Sequence, residues 1–404
     1  MTKVGLPGAK EGLQADDPTI AEILKSMGYA TGQFGKNHLG DQDEHLPSNH
    51  GFDEFFGNLY HLNAEDEPEH PDYPKDSNFK KKFGPRGVIH SFADGKVQDT
   101  GPLNKKRMET IDEEVLAKTL KFMDKAHKAK KPFFVWFNTT RMHVWTRLKK
   151  ESQGVTGQGL YADGMVEHDG HVGQLLDKLD KLGIEDNTIV MYSTDNGDEL
   201  ALWPDGGYTM FRGEKNNTWE GDYRVPMMVK WPAKIKKGQI SNEIIAMMDW
   251  MPTLLAAAGD TKVKSNLKKG MQVGSRKFKV HLDGYNFLPH FLDTSKPGPR
   301  KEFIYSSDTG DIVGFRRGDY KVVFKEQRAH GLAVWQDPWI PLRAPKIFNL
   351  RMDPLERMDH DGAGYNKWFA EHLFLMAPAM LEVAKFKATF KDFPQRQKPG
   401  SFVP

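Results

Sequence analysis

The sequence predicts an α/β fold: a mainly parallel sheet sandwiched by helices, followed by a small C-terminal α+β subdomain. Three amphipathic helices are each followed by a short apolar run, which is the alternation typical of a parallel sheet covered by helices. After residue 300 the pattern changes to closely spaced short strands and a long helix, which favours antiparallel pairing. We therefore predict one domain over residues 1–300 and another over residues 301–404.

Composition excludes several classes of protein. The chain has 404 residues, of which 38% are hydrophobic and 28% charged, as in an ordinary globular protein. A formal net charge of +2 gives no reason to expect nucleic acid as a partner. The longest apolar runs, such as residues 373–377, are too short to span a membrane. There is no cysteine, which excludes disulfides, thiolate metal sites and cysteine nucleophiles in these residues. No signal peptide is predicted, since no apolar segment follows Lys3, and the compartment is left open.

The first helix–strand unit begins at Asp17, which can cap a helix that ends at Gly28. The apolar run 29–34 is the strand that follows. It leads into a loop that carries Lys36 and His38. Both side chains are therefore predicted to lie at the carboxyl end of a strand.

The second unit comes after a long polar segment. Residues 41–104 lack periodicity and are interpreted as long surface loops around an aromatic patch at 52–60. A helix over 112–127 and a buried strand over 132–137 follow. His143 lies in the next loop, again just after a strand.

The third unit consists of a helix over 160–182 and a strand over 188–193. The apolar run in this strand predicts burial on both faces, in a parallel sheet. Asp195 and Asn196 follow directly, at the strand end where α/β sheets bind ligands. A carboxylate beside an amide oxygen suits Ca²⁺ or Mg²⁺. Asp-Asn-Gly is equally typical of a plain turn, so both interpretations stand at this point.

The remaining elements are shorter. A polar, glycine-rich stretch at 206–223 carries Lys215, and residues 260–300 are interpreted as a linker with loops. A last helix over 365–390 is predicted to bend near Pro378. The other predicted elements are strands at 225–231, 302–306, 312–315, 320–324 and 346–350 and a helix at 249–258.

The residues at the strand ends suggest one chemistry. Lysines and a metal could neutralise the oxygens of a tetrahedral dianion while imidazoles move protons. Each residue alone is more often structural or at the surface, so the prediction depends on their occurring together. The candidate site residues are Lys36, His38, His143, Asp195, Asn196 and Lys215.

Several motifs in these loops resemble the sulfatase (arylsulfatase) family of the alkaline-phosphatase superfamily. The stretch Gly35-Lys-Asn-His-Leu-Gly40 is similar to G-K-W-H-L-G, with Asn37 in place of the usual tryptophan. Ser193-Thr-Asp-Asn-Gly197 matches the D-N-G metal motif. Arg212-Gly-Glu-Lys215 and the segment from Glu220 to Pro226 match R-G-x-K and E-G-G-x-R-V-P, with Asp222 replacing a glycine. Similar landmarks occur at 50–57, 249–255 and 348–356.

The resemblance implies an alkaline-phosphatase-like fold and hydrolysis of sulfate esters. It implies that Lys36 and Lys215 hold the sulfate oxygens and that His38 assists the nucleophile. His143 would bind sulfate or protonate the leaving group. The loop at 140–145 departs from the commoner P-H-x-P form of the family. The substrate would be a sulfate ester or another small anion.

The resemblance also implies that Asp195 and Asn196 ligate a divalent cation, usually Ca²⁺ and alternatively Mg²⁺. The family pattern begins with an Asp-Asp metal pair and a C/S-x-P-S/A-R motif whose Cys or Ser becomes formylglycine. Neither is found here, since Asp16 and Asp17 precede a helix and the first serines are Ser26 and Ser48. No formylglycine can form, and two protein oxygens fall short of the six to eight that Ca²⁺ prefers, so weak metal binding is expected.

We therefore expect a sulfatase-family chain truncated at its amino end, or a gene model that starts at an internal methionine. A sheet that lacks a strand near its centre would expose strand edges and favour self-association. Three functions follow as alternatives. The full-length protein would hydrolyse sulfate esters. The chain as it stands would be a non-catalytic remnant that binds anions. It would otherwise be a residual metal-dependent phosphatase or esterase that uses water as its nucleophile.

Overall fold

The computed structural model describes residue 4 and residues 6–396. The chain forms two compact units, each described by itself. The amino-terminal unit combines the residues up to 188 with 251–282, and the carboxyl-terminal unit combines 189–250 with 283–396. None of the helices in the described ranges combines the length and the apolar character needed to cross a bilayer. The predicted domain boundary at residue 300 stays a prediction.

Short strands and helices alternate along the chain. The strands are β1 Ala30–Gly35, β2 Glu54–Gly57, β3 Ile89–Phe92, β4 Val97–Asp99, β5 Phe133–Asn138, β6 Val190–Ser193, β7 Met227–Lys230, β8 Met271–Val273, β9 Arg276–Phe278, β10 Glu302–Ser306, β11 Ile312–Arg317, β12 Tyr320–Glu326 and β13 Ile340–Asn349. The α-helices are α1 Ile20–Ser26, α2 Leu62–Asp66, α3 Ser77–Phe83, α4 Lys105–Met108, α5 Ile111–Lys128, α6 Leu160–Lys181, α7 Glu220–Tyr223, α8 Trp250–Ala257, α9 Val263–Lys269, α10 Leu288–Leu292, α11 Met358–Asp361, α12 Tyr365–Glu371 and α13 Met376–Thr389.

The main sheet of the amino-terminal unit has the strand order β4-β3-β2-β1-β5. β1 pairs in parallel with both β2 and β5, whereas β3 and β4 add antiparallel pairs, so the sheet is mixed. Gly35 lies opposite Asn138, and Phe34 lies opposite Phe56. The carboxyl ends of β2, β1 and β5 therefore reach the same edge of the sheet.

The helices of this unit form where the sequence predicted them, but α1 has a different cap. Thr19, not Asp17, is the N-cap, because Thr19 and Glu22 satisfy each other's backbone N–H groups in a capping box. The long helix α5 buries one apolar face against β1. Val115 and Phe122 lie in the same core cluster as Phe34. Burying each such side chain stabilises the fold by about 2 kcal/mol.

The segment 41–104, predicted as surface loops, is a folded part of the core. It contributes β2, β3 and β4, and Phe55 and Tyr60 are both fully buried. Tyr60 donates a hydrogen bond to Asp41 at 2.8 Å. The prediction was wrong because these strands are only three or four residues long, too short to produce a visible period of two. The predicted linker 260–300 likewise includes α9, α10 and the β8–β9 hairpin.

The carboxyl-terminal unit contains the predicted antiparallel sheet, in the order β10-β11-β12-β13. A helical segment covers it, and Ala379 and Val383 of α13 pack in one cluster with Val322 and Ile347. The predicted single bent helix is in fact two helices, α12 and α13, that are separated before Pro378. Pro378 lies in the first turn of α13, where the missing N–H costs no hydrogen bond.

The strand before Asp195 differs from its prediction. β6 pairs antiparallel with β7 in a two-stranded sheet, not in a parallel one. Its burial is partial, with Met191 37% exposed, and Met228 of β7 is 61% exposed. An apolar run alone does not determine pairing direction, and the second apolar run at 225–231 supplied an antiparallel partner.

Candidate functional site

Each of the three neighbouring parallel strands of the amino-terminal unit is followed by a histidine. His38 follows β1, His61 follows β2 and His143 follows β5. The ring centroids of His38 and His61 are 5.2 Å apart. Those of His61 and His143 are 5.9 Å apart, with the rings nearly parallel at 7°. The structure thus brings the two predicted histidines together around a third one, and we call this group the histidine edge.

Lys36 reaches the same edge through a tight backbone contact. Its N–H donates to the carbonyl of Asn138 at 2.9 Å. The preceding Gly35 has a φ of +109°, and a Cβ there would lie 1.6 Å from the same carbonyl oxygen. A Cβ at Gly57 would in turn lie 1.7 Å from the carbonyl oxygen of Gly35. Glycine at both positions therefore permits the close approach of the three strand ends.

Asn37, which replaces the usual tryptophan of the motif, connects two loops through hydrogen bonds. It is buried and accepts a hydrogen bond from Gln33 Nε2 at 3.1 Å. Its N–H donates to the carbonyl of Asn58 at 2.8 Å. These contacts join the loop after β1 to the loop after β2, so they hold Lys36 and His38 in place.

A buried ion cluster fixes the loop that carries His143. Arg141 is buried and pairs with Asp112, at 3.4 Å, and with Glu167. Thr140 donates its N–H to Asp112 at 2.8 Å. Burial raises the pKa of Asp112, and the Arg141 guanidinium and the Thr140 hydrogen bonds oppose that rise. The loop departs from the family form in sequence, and here its geometry depends on this ion cluster.

In the carboxyl-terminal unit, Asp195 and Asn196 form a turn after β6. Asp195 is exposed. Asn196 Nδ2 donates to the carbonyl of Gly197 at 2.7 Å, so its Oδ1 is the atom left to face a cation. Thr194 Oγ1 donates to the Asn196 carbonyl at 3.0 Å. A carboxylate and an amide oxygen fit Ca²⁺ or Mg²⁺ in kind, but their number falls short of a full coordination sphere.

Lys215 lies near this turn within the same unit. Its N–H donates to the carbonyl of Asp198 at 2.9 Å. Its ammonium pairs with Glu199 at 2.8 Å and lies 6.0 Å from the ring centroid of Trp335. An anion at Lys215 would therefore share the lysine with a carboxylate.

Asp222, at the position where the family motif has a glycine, connects these two loops. Its carbonyl accepts from the N–H of Gly197 at 2.8 Å, and its carboxylate accepts from the N–H of Asn216 at 2.9 Å. Burial raises the pKa of Asp222 to about 7, although the backbone hydrogen bonds oppose the rise. One residue thus holds both the D-N-G turn and the segment beside Lys215.

The other motif residues of this unit belong to a buried ion network. Glu220 contacts Lys321 at 3.2 Å and Tyr305 at 2.7 Å. Lys321 also pairs with Glu356 at 2.8 Å, and both side chains are fully buried. Burial would raise the pKa of Glu220, but Lys321, Tyr305 and neighbouring arginines overcome it and lower the pKa to about 2. These residues hold the R-G-x-K and E-G-G-x-R-V-P segments in place.

Sequence reasoning missed His61 in the amino-terminal unit. The signal was present, because Phe55-Phe56-Gly57 resembles a strand end as much as Phe34-Gly35 does. It was hidden by interpreting 41–104 as loops. Lys36, His38 and His143 lie in one unit and Asp195, Asn196 and Lys215 in the other, so their convergence stays a prediction.

Much of this chain is similar in sequence to known proteins. The family model described as Sulfatase matches residues 1–260. An arylsulfatase from Hemicentrotus pulcherrimus is 30% identical over 427 aligned positions, covering 95% of this chain and 68% of that protein. Human arylsulfatase G is 27% identical, covering 95% of this chain and 75% of its own.

A solved structure agrees with the sequence comparison. The sulfatase PsFucS1 from Pseudoalteromonas sp. superposes with a TM-score of 0.82 at 26% identity, covering 98% of this chain and 79% of that one. The likeness confirms the predicted α/β fold with its C-terminal antiparallel subdomain. Since the family model spans more than half of the 404 residues and the relatives in sequence and structure are sulfatases, this chain belongs to the sulfatase family.

Proposed function

We propose that the protein hydrolyses sulfate esters and that these 404 residues supply its sulfate-binding groups. Membership in the sulfatase family carries the proposal. The grouping of Lys36 with the histidine edge supports it, since a lysine and imidazoles at one sheet edge suit an anionic ester. The substrate class follows from the same chemistry, and we infer a small molecule or glycan that carries a sulfate ester.

The proposed roles follow the chemistry of each side chain. Lys36 and Lys215 bind sulfate oxygens and offset the charge that develops on them. His38 assists the nucleophile by moving a proton. His143 binds sulfate or protonates the leaving group, and the nearly parallel ring of His61 packs beside it, with the ring centroids 5.9 Å apart.

Asp195 and Asn196 are the proposed holders of a divalent cation, with Ca²⁺ as the first choice and Mg²⁺ as the second. Their oxygen donors support this assignment. When bound, the ion would supply positive charge for the sulfate oxygens. Because these two residues provide few ligands, we expect them alone to bind the ion weakly.

We further propose that these 404 residues alone do not turn over sulfate esters by the covalent route. They contain no cysteine, and no serine lies in a C/S-x-P-S/A-R setting. Formylglycine therefore cannot form within them, which removes the nucleophile of that route.

The test is hydrolysis of 4-nitrophenyl sulfate. It compares the 404 residues with a longer product that includes any coding sequence lying in frame upstream. We expect turnover in a product that supplies the nucleophile motif, and loss of turnover in Lys36→Ala and in Lys215→Ala. Lys96→Ala is the control, since its side chain is 80% exposed on the β3–β4 turn. Turnover that is unchanged in both Lys36→Ala and Lys215→Ala would contradict the proposal.

Two alternatives arise from the same absence of a nucleophile. The chain could bind sulfate or phosphate without catalysis, and calorimetry of the purified chain tests that directly. It could instead hydrolyse phosphate or activated esters slowly, using water and a metal. Metal-dependent release of 4-nitrophenol from 4-nitrophenyl phosphate or acetate would favour the second alternative over the first.

A further inference from the structure

A second group of candidate metal ligands lies in the amino-terminal unit and uses none of the residues of the D-N-G turn. It consists of Glu113 on α5 and Glu167 and His171 on α6. One donor atom from each residue lies within 4.8 Å of the others. Glu167 and His171 are four residues apart, so they lie on the same face of α6. We call this group the α5–α6 cluster.

In each glutamate of the cluster, only one of the two carboxylate oxygens forms an ion pair. Glu113 Oε1 pairs with Lys149, and Glu167 Oε1 pairs with Arg141. The second oxygen of each, Oε2, is buried and has no hydrogen-bond partner among the residues that the structure describes. Both glutamates therefore have an oxygen available for a further ligand.

His171 supplies an independent observation. It is only 4% exposed, and its Nδ1 finds no hydrogen-bond partner within the described part of the chain. Leaving a buried polar atom unsatisfied costs about 1–3 kcal/mol. Each of the three clustered residues thus has a buried polar atom that no other described residue satisfies.

The local charge permits a cation. Three carboxylates, Asp112, Glu113 and Glu167, face two cations, Arg141 and Lys149. With neutral His171 the group carries one excess negative charge, so a divalent ion is not repelled overall. A hydrogen-bonded water would satisfy the open atoms without changing that charge.

The donor types favour a transition metal over Ca²⁺. An imidazole nitrogen and carboxylate oxygens are donor types that zinc accepts, whereas Ca²⁺ takes oxygens only. Tetrahedral ligands at about 2.1 Å from zinc lie roughly 3.4 Å apart, so small side-chain rotations would close the present spacing. Two of the donors sit on one helix and the third on its neighbour, which gives the site a rigid frame.

We propose that the α5–α6 cluster binds a divalent transition metal, with zinc as the ion that fits best. The bound ion connects α5 to α6 and holds Glu167, the partner of Arg141, in place. Arg141 lies two residues before His143, so the ion stabilises the loop that carries this histidine. Its ligands are different residues from the Asp195–Asn196 pair.

The untagged, EDTA-treated chain is titrated with zinc chloride, and calorimetry measures the binding. A parallel titration with cobalt chloride is monitored by visible absorption. Wild type should bind one equivalent that His171→Ala and Glu113→Gln weaken by at least about 100-fold. Glu113→Gln should fold even if His171→Ala does not, because the Glu113 side chain is 31% exposed. The control His127→Ala removes an exposed imidazole at the end of α5 and should not change this equivalent.

Zinc should also raise the melting temperature of wild type and of His127→Ala but not of the two cluster variants. Equal zinc binding by wild type, His171→Ala and Glu113→Gln would overturn the proposal. So would the absence of any zinc equivalent in wild type, which would leave water as the partner of the open atoms. Calcium chloride competing equally with zinc would overturn the choice of metal class.

Discussion

The two groups of motif residues are held in place by different forces. At the histidine edge, Gly35 and Gly57 let three strand ends approach so closely that no Cβ fits. In the carboxyl-terminal unit, the segments around Lys215 are tied down by buried charges, above all Lys321 between Glu220 and Glu356. The first region should therefore be sensitive to added volume and the second to lost charge or changed pH.

The largest effect is expected from the ion network. Lys321→Met keeps most of the side-chain volume but leaves Glu220 and Glu356 buried without their cation. Removing one partner of a buried ion pair typically costs about 3–5 kcal/mol of the free energy of unfolding. Lys325→Met is the matched control, because its partner Asp311 is 54% exposed and a surface pair contributes about 1 kcal/mol or less. Urea unfolding of both variants measures the difference, and equal losses would contradict the structural role of the network.

The next effect concerns volume at the histidine edge. Gly35→Ala places a methyl group 1.6 Å from a carbonyl oxygen at a positive φ, and should lower the free energy of unfolding by about 3 kcal/mol. Gly170→Ala is the control, since a Cβ at this position of α6 meets nothing within 4 Å. Alanine there should stabilise the helix by about 0.5–1 kcal/mol. A Gly35→Ala protein as stable as wild type would show that the strand ends can separate freely.

A smaller effect tests the pH dependence expected of the carboxyl-terminal unit. Burial raises the pKa of Asp222 to about 7 from its ordinary 3.8, so between these values the folded chain holds a proton that the unfolded chain has lost. The contribution of Asp222 to stability is thus full below pH of about 4 and is lost as the pH rises through about 7. Asp222→Asn should remove that loss, making the variant about 2 kcal/mol more stable relative to wild type at pH 8 than at pH 5.

Glu220→Gln provides the comparison for this pH test. The pKa of Glu220 is lowered to about 2, so its contribution is present above its ordinary 4.5 and is lost only as the pH falls through about 2. This variant should be destabilised by the same amount at pH 5 and at pH 8. Thermal melts at the two pH values suffice, and an unchanged pH slope in Asp222→Asn would contradict the raised pKa.

Part of the fold and of the candidate site could be predicted from the sequence. Amphipathic spacing placed α5 and α6 within a residue or two of their observed ends, and the sequence correctly placed Lys36, His38 and His143 after strands. His61 and the direction of β6 could not be predicted, because short strands without alternation carry no sign of their partners. Contacts such as Arg141 with Asp112, 29 positions apart, depend on the assembled sheet and leave no local pattern.

The most direct test of sulfate binding by Lys36 and Lys215 is calorimetric titration of the 404-residue chain with sulfate. Lys36 and Lys215 represent the two units, and each charge-assisted contact should contribute about 1.5 kcal/mol. We therefore predict that Lys36→Ala and Lys215→Ala each weaken sulfate binding about 10-fold, whereas Lys96→Ala leaves it unchanged. Sulfate binding that is equal in all four proteins would contradict the assignment of these lysines to the substrate.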